Sequence, residues 1–217
     1  MGAAPAALKV YYVGDPMCSW CWGMSPVTSQ LSDWCTKKNV PFSIVMGGLR
    51  AGGGDPWNAQ FINFLRREWR HINNATGQPF SFKLLDRASF QYDTEPARRA
   101  VETAKSLLLA EGRDAERDSL KFFSAVQRKF YVDADDPKDI SFYELVCAEI
   151  QLDFQLFSDR FQSTEMHQLT MRQFALAHEL GCRGFPSVIG KKDGHNIEIS
   201  VGYCDFAKLE SKLADLV

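Results

Sequence analysis

The spacing of hydrophobic and polar positions changes character twice along the chain. Val10-Tyr11-Tyr12-Val13 is a short run of β-branched and aromatic residues stopped by Gly14, Asp15 and Pro16, and it reads as a strand buried on both faces. From Ser25 the apolar residues Val27, Leu31, Trp34 and Cys35 recur at helical spacing, which predicts a helix running to about Asn39. Residues 41–46 read as a second strand, and a strand-helix-strand unit implies a parallel pair with a right-handed connection. Gly47-Gly48-Leu49 and Gly52 to Gly54 then leave the carboxyl end of that strand, the end at which open α/β sheets place ligands.

The period becomes helical from Asp55 to Leu180. Asp55 is expected to cap, and Pro56 to open, a helix with Trp57, Phe61, Leu65 and Ile72 on or near one stripe, ended by Asn73, Asn74 and Gly77. Thr94-Glu95-Pro96 starts a second helix with Ala97, Ala100, Val101, Ala104, Leu107 and Leu108 inward, and Leu120, Phe123, Val126 and Phe130 mark a third. After an acidic loop, Ser141-Phe142-Tyr143-Glu144 has the form of a capping box, and a longer helix is expected from Ser163 to Gly181. Residues 185–189 and 197–201 return to strand character around Lys191-Lys192-Asp193-Gly194, a hairpin turn, and Asp205 caps a closing helix with Phe206, Leu209, Leu213 and Leu216 inward. The order is β-α-β, a helical insertion, then α-β-β-α.

With 217 residues, 45% of them hydrophobic, the chain can bury a sizeable core, and a net charge of −2 provides no general basic field for nucleic acid or anionic lipid. No apolar run approaches the roughly 18 residues of a membrane span. Residues 1–8 are rich in Ala, Gly and Pro, without a basic or a long apolar region, and do not read as a signal peptide. The expected location is therefore the cytoplasm, where six cysteines are mostly thiols and a CxxC pair is more often catalytic than a structural staple.

That pair is Cys18-Ser19-Trp20-Cys21, set between a strand and a helix. A thiol attacks as its thiolate, and the first turn of a helix, with its unpaired N–H groups, favours one. Cys18 at the helix mouth is the expected nucleophile, and Cys21, one turn in, the thiol that resolves a mixed disulfide. Two unrelated buried cysteines would share the bare spacing; the strand-turn-helix setting favours the redox reading. Asp15 reads either as a proton relay to Cys21 or as a routine turn residue before proline. Met17, Trp20, Trp22 and Met24 read either as an adaptable apolar surface or as packing, with Trp22 assigned to the core and Trp20 to the surface. Cys35 and Cys147 read as inert packing, and His71, His167, His178 and His195 show no metal-ligand spacing.

Element order and motifs together resemble the DsbA-like disulfide oxidoreductases: an α/β thioredoxin-like fold with an inserted all-helical domain. The carriers are Cys18-Ser19-Trp20-Cys21 after a strand and Gly184-Phe185-Pro186-Ser187 opening the later hairpin. The resemblance implies a thioredoxin-like core of residues 1–50 and 160–217 with a helical domain over 51–159. It further implies a cis Pro186 facing the cysteines, and a substrate surface made by Phe185, Pro186, Ser19 and Trp20, the Phe185 backbone pairing with an incoming peptide. Unlike the strongest oxidants, the motif holds no histidine between its cysteines. The expected activity is thiol-disulfide exchange, as oxidoreductase or isomerase, on protein or small-molecule disulfides. No cofactor is implied beyond glutathione as a redox partner, and no metal.

Gly47-Gly48-Leu49 and Asp93-Thr94-Glu95-Pro96-Ala97-Arg98-Arg99 also look like kappa-class glutathione transferases and 2-hydroxychromene-2-carboxylate isomerases, which share the fold and bind glutathione. Those relatives usually carry serine where Cys18 stands. A zinc site would need two ligands beyond Cys18 and Cys21. A turn centred near Asp193 would set Cys182 opposite Cys204, close enough for a bridge and a second redox pair; a slip of one residue would remove it.

Overall fold

The computed structural model describes residues 8–217; residues 1–7, most of the segment weighed as a leader, lie outside the described residues. Strand β1 (Lys9–Gly14) is followed by α1 (Ser19–Gly23), α2 (Ser25–Lys37) and β2 (Phe42–Met46). Helices α3 (Ala59–Thr76), α4 (Glu95–Ala110), α5 (Ala115–Arg128), α6 (Tyr143–Glu149) and α7 (Phe154–Phe161) make the insertion. Helix α8 (Thr164–Glu179), strands β3 (Ser187–Lys192) and β4 (His195–Val201) and helix α9 (Phe206–Ala214) complete the order.

The sheet runs β2-β1-β3-β4, with β1 parallel to β2 and antiparallel to β3. Alternation along the strands sends Val10, Tyr12, Ile44 and Val188 into the larger core, while Val13, Val45 and Ile189 pack on the other face with Ala177 and Leu180. β1 is thus covered on both sides, as its β-branched and aromatic run requires. The larger core is continuous from Leu8 through Phe157 of the insertion to Leu213, so the inserted helices share one interior with the sheet.

Two features shape the start of the chain. α1 and α2 meet at Met24, where Pro26 has no N–H to give the Trp22 carbonyl; the Gln78 side chain supplies that hydrogen bond at 3.0 Å. At the open edge of β2, the Glu116 carboxylate accepts from Ile44 N at 3.0 Å, and Lys105 Nζ donates to Ile44 O at 3.3 Å. Side chains of α4 and α5 thereby satisfy backbone groups that an edge strand leaves open.

Three expectations are corrected. The cap of α3 is Asn58, whose side chain accepts from Phe61 N at 3.0 Å, because the Asp55 carboxylate is engaged by Arg50. Ser141 does not head a capping box: Asp139 accepts from Ser141 N at 3.0 Å and from its hydroxyl at 2.9 Å, opening a 3-10 turn at Ile140–Phe142 before α6. The hairpin turns on Asp193 and Gly194, both at positive φ, which sets Lys192 opposite His195. A register shift between Val188 and Ile189 then brings Ser187 opposite Val201. Continued toward the open end, this register does not set Cys182 against Cys204. The two pack in different clusters, Cys182 with the α8 face and Cys204 with the larger core, which removes the ground for a second redox pair.

Candidate active site

Strand β1 ends at Gly14, and Asp15-Pro16-Met17 turns the chain into α1 with Cys18 at its N-cap. The Cys18 N–H donates to Asp15 O at 3.0 Å, and its carbonyl accepts from Trp22 N at 3.1 Å, which holds the thiol at the mouth of the helix. Cys18 Sγ lies 3.8 Å from the Phe185 carbonyl oxygen, across 167 residues of sequence. Cys21 is fully buried beneath it. Burial holds the Cys21 thiol well above the ordinary range, and the Cys18 thiol adds to this; the Asp15 backbone N–H and the Tyr12 hydroxyl act in the opposite direction. Both thiols are buried, Cys18 at 6% exposure and Cys21 at 0%, so Cys18 is the one nearer solvent by a narrow margin.

The Phe185–Pro186 peptide bond is cis. The loop that carries it is held by Gly202 N donating to Pro186 O at 2.8 Å, and by the Ser187 hydroxyl donating to Gly184 O at 2.7 Å. The Phe185 ring lies over Gly47, where a Cβ would come within 1.9 Å of a ring carbon. The glycine turn after β2 therefore exists to admit this ring, and the ring brings the Phe185 carbonyl to Cys18.

Asp15 is fully buried and faces three partners: Met17 N at 2.8 Å, Leu49 N at 3.3 Å and Arg98 Nε at 3.3 Å. Burial raises its pKa, while the Arg98 guanidinium and the donated hydrogen bonds pull it back. Its carboxylate braces the turn. Arg98, also buried, donates to Gly47 O at 2.5 Å and to Thr94 O at 2.8 Å, and its guanidinium lies 4.3 Å from the Phe174 ring centroid. The Tyr92 hydroxyl donates to Met17 O at 2.9 Å, so the insertion also holds the active-site turn.

Met17, Trp22 and Met24 are core residues, with Trp22 stacked on Tyr131 at a centroid distance of 6.4 Å. Trp20 is half-buried between His71, 5.5 Å away, and Tyr203, 6.1 Å away, and Ser19 is half-exposed beside it. Among the described residues no three His, Cys, Asp or Glu side chains are grouped to hold a metal, and no helix is long and apolar enough to cross a membrane. Sequence reasoning missed the roles of Arg98, Tyr12, Tyr92 and Tyr203. Arg98 lies within a quoted motif, yet its pairing with a residue 83 positions earlier (98 against 15) leaves no trace in local spacing.

The sheet with its helical insertion, and two thiols three apart at a helix mouth facing a cis-proline loop, give the chain the thioredoxin-like fold and site layout seen in DsbA-like disulfide oxidoreductases. No protein-family model and no curated sequence matches the chain. Among solved structures it is similar to a Nitrosomonas europaea protein provisionally described as a protein disulfide isomerase, with 29% identity and a TM-score of 0.83, covering 96% of this chain and 97% of that one. The cytosolic disulfide reductase DsbM from Pseudomonas aeruginosa shares the fold at 23% identity and a TM-score of 0.72, covering 96% of each chain. A 2-hydroxychromene-2-carboxylate isomerase shares it at 15% identity and a TM-score of 0.62, covering 96% of this chain and 95% of that one.

Proposed function

We propose that the protein exchanges thiols and disulfides through a Cys18 mixed disulfide resolved by Cys21. The observation that carries this reading is the layering of the pair: Cys18 Sγ stands 3.8 Å from the Phe185 carbonyl on the substrate side, with Cys21 buried one turn behind. The Cys18 thiolate attacks one sulfur of a substrate disulfide, and the other leaves as a thiolate that takes a proton from solvent. Cys21 then attacks Cys18 Sγ, closing the Cys18–Cys21 bond and releasing the second substrate sulfur. The substrate gains two electrons and the enzyme loses them; run backwards, the same steps donate a disulfide.

Trp20, Ser19, Phe185 and Pro186 border Cys18 and form the substrate surface, with the Phe185 backbone positioned to pair with an extended peptide. Asp15 acts as a positioning residue for the turn. Glutathione is the redox partner we favour, because DsbM, whose structure is also known with GSH, shares this fold. That protein's description as cytosolic, together with cysteines that are all free here, supports action in the cytoplasm.

The test uses an insulin or peptide disulfide. Cys18→Ser abolishes exchange, whereas Cys21→Ser accumulates a mixed disulfide visible by mass spectrometry. Normal turnover by Cys21→Ser with nothing trapped would refute the assigned roles. Calorimetry with glutathione separates the isomerase or transferase reading: saturable binding independent of Cys21, without any disulfide activity, would favour it.

A further inference from the structure

Tyr12 lies on the central strand directly beneath the cysteine pair, and its side chain is fully buried. Its hydroxyl is a buried oxygen without a well-formed hydrogen bond, set close enough to the Cys21 thiol to interact with it only weakly. The ring is fixed: a Cβ at Gly14 would fall 2.8 Å from one of its carbons, and Phe123 meets it edge-on at 6.0 Å. The polar groups beside the hydroxyl are the Cys21 thiol and Thr28; the Thr28 hydroxyl gives its proton to Met24 O at 3.1 Å, which leaves its oxygen as the one neutral acceptor that competes with Cys21 for the phenol. A neutral thiol is a weak acceptor, so a phenol beside it gains little in the dithiol state. A thiolate in the same place would be a charged acceptor and would bind the phenol strongly.

We propose that the Tyr12 hydroxyl is a catalytic hydrogen-bond donor to Cys21 Sγ, holding the Cys21 thiolate as it attacks the Cys18 mixed disulfide and as it departs when the Cys18–Cys21 bond is opened. The inference rests on the exchange reading above. Tyr12 transfers no proton. Cys21 loses its proton to solvent as the thiolate forms; as it attacks, the bond between Cys18 and the substrate sulfur breaks, the electron pair leaves on that sulfur, and solvent returns a proton to it. Burial drives the ionisation of Tyr12 far above its ordinary range, so the phenol keeps its proton and remains a donor throughout. The titratable groups facing Cys21 are Cys18 and Tyr12. On the Cys18 side stand Tyr92 and Tyr131, both kept neutral by burial, and the Asp15 carboxylate is engaged by Arg98.

A donor that lowers the Cys21 pKa by about one unit raises its thiolate fraction about tenfold and lowers its intrinsic nucleophilicity by about threefold, a net gain of about threefold in attack. As a leaving group, Cys21 gains as well. The experiment follows 5,5′-dithiobis(2-nitrobenzoate) by stopped flow in a Cys182→Ser/Cys204→Ser background, where Cys18 attack releases the first thionitrobenzoate and Cys21 attack the second. In Tyr12→Phe the first phase stays within about twofold, while the second slows at least about threefold at neutral pH and its pH midpoint moves up by about one unit. Thermal stability of the dithiol form is unchanged or higher, since the hydroxyl removed has no well-formed hydrogen bond there. Placing 3-fluorotyrosine at position 12, a more acidic donor of nearly the same shape, moves the midpoint down and decides the matter if Tyr12→Phe fails to fold. An unchanged second-phase pH profile in the variant that folds, or equal slowing of both phases, would overturn the inference. Absence of any mixed disulfide at Cys18 in the unsubstituted protein would overturn the exchange reading itself, and this inference with it.

Discussion

Gly47 shows how a single missing side chain positions the site. The Phe185 ring fills the space a Cβ would take, at 1.9 Å, so Gly47→Ala must push the ring and its backbone away from Cys18. We expect a loss of about 1–3 kcal/mol in urea denaturation and slower exchange in the insulin assay. Glu102 carries a different signal at the same scale. It is buried on α4, one of its oxygens has no partner, and burial raises its pKa to about 7, with Lys105 opposing and Glu116 assisting. The folded protein therefore binds this proton more tightly than the unfolded chain does, so stability falls as pH rises from about 4.5 to about 7 and is level above that. The shift corresponds to a cost on the order of 3 kcal/mol at alkaline pH. Glu102→Gln should flatten that part of the stability profile and leave the protein more stable than wild type at pH 8; an unchanged slope in pH-dependent denaturation would contradict the assignment.

At the scale of elements, the vulnerable feature is the β2 edge. Glu116 and Lys105 satisfy Ile44 N and Ile44 O, and they pair with each other at 2.7 Å. Glu116→Ala leaves a backbone donor of a buried residue unpaired and should lower stability by about 1–3 kcal/mol, read as a lower urea midpoint with an unchanged m-value. Most element boundaries were legible because their signals are local. Thr94-Glu95-Pro96, Ser163 and Asp205 head their helices as read, and Gly77 follows α3 at positive φ. The exceptions share one cause: a cap is chosen by what else competes for its side chain. Asp55 is taken by Arg50, and the Ser141 hydroxyl by Asp139.

Across the whole molecule, the buried Asp15–Arg98 pair joins the active-site turn, the β2 exit and the start of α4. Removing one buried partner strands the other charge, so Arg98→Met should cost about 3–5 kcal/mol and slow exchange by loosening the Cys18 turn. Adding Asp15→Asn should recover a large part of that loss, because the stranded carboxylate is gone; a double-mutant cycle by chemical denaturation that shows simple additivity would contradict the coupling.

Strand and helix identities, the cysteine pair and its place before a helix, and the proline loop were determined by the sequence alone. Each follows from side-chain period or from residues within a few positions of one another. Tertiary structure decided what those parts meet: that Asp15 turns its carboxylate to Arg98, that Phe185 needs Gly47, and that Tyr12 lies under Cys21. It also decided that the hairpin register does not run Cys182 against Cys204. A two-residue turn and one irregular step in β3 and β4 move the register, and in a sheet with period two such a shift reassigns each side chain's face and partner. Local periodicity places a residue on an element; the contacts between distant elements are set by packing that no local pattern encodes.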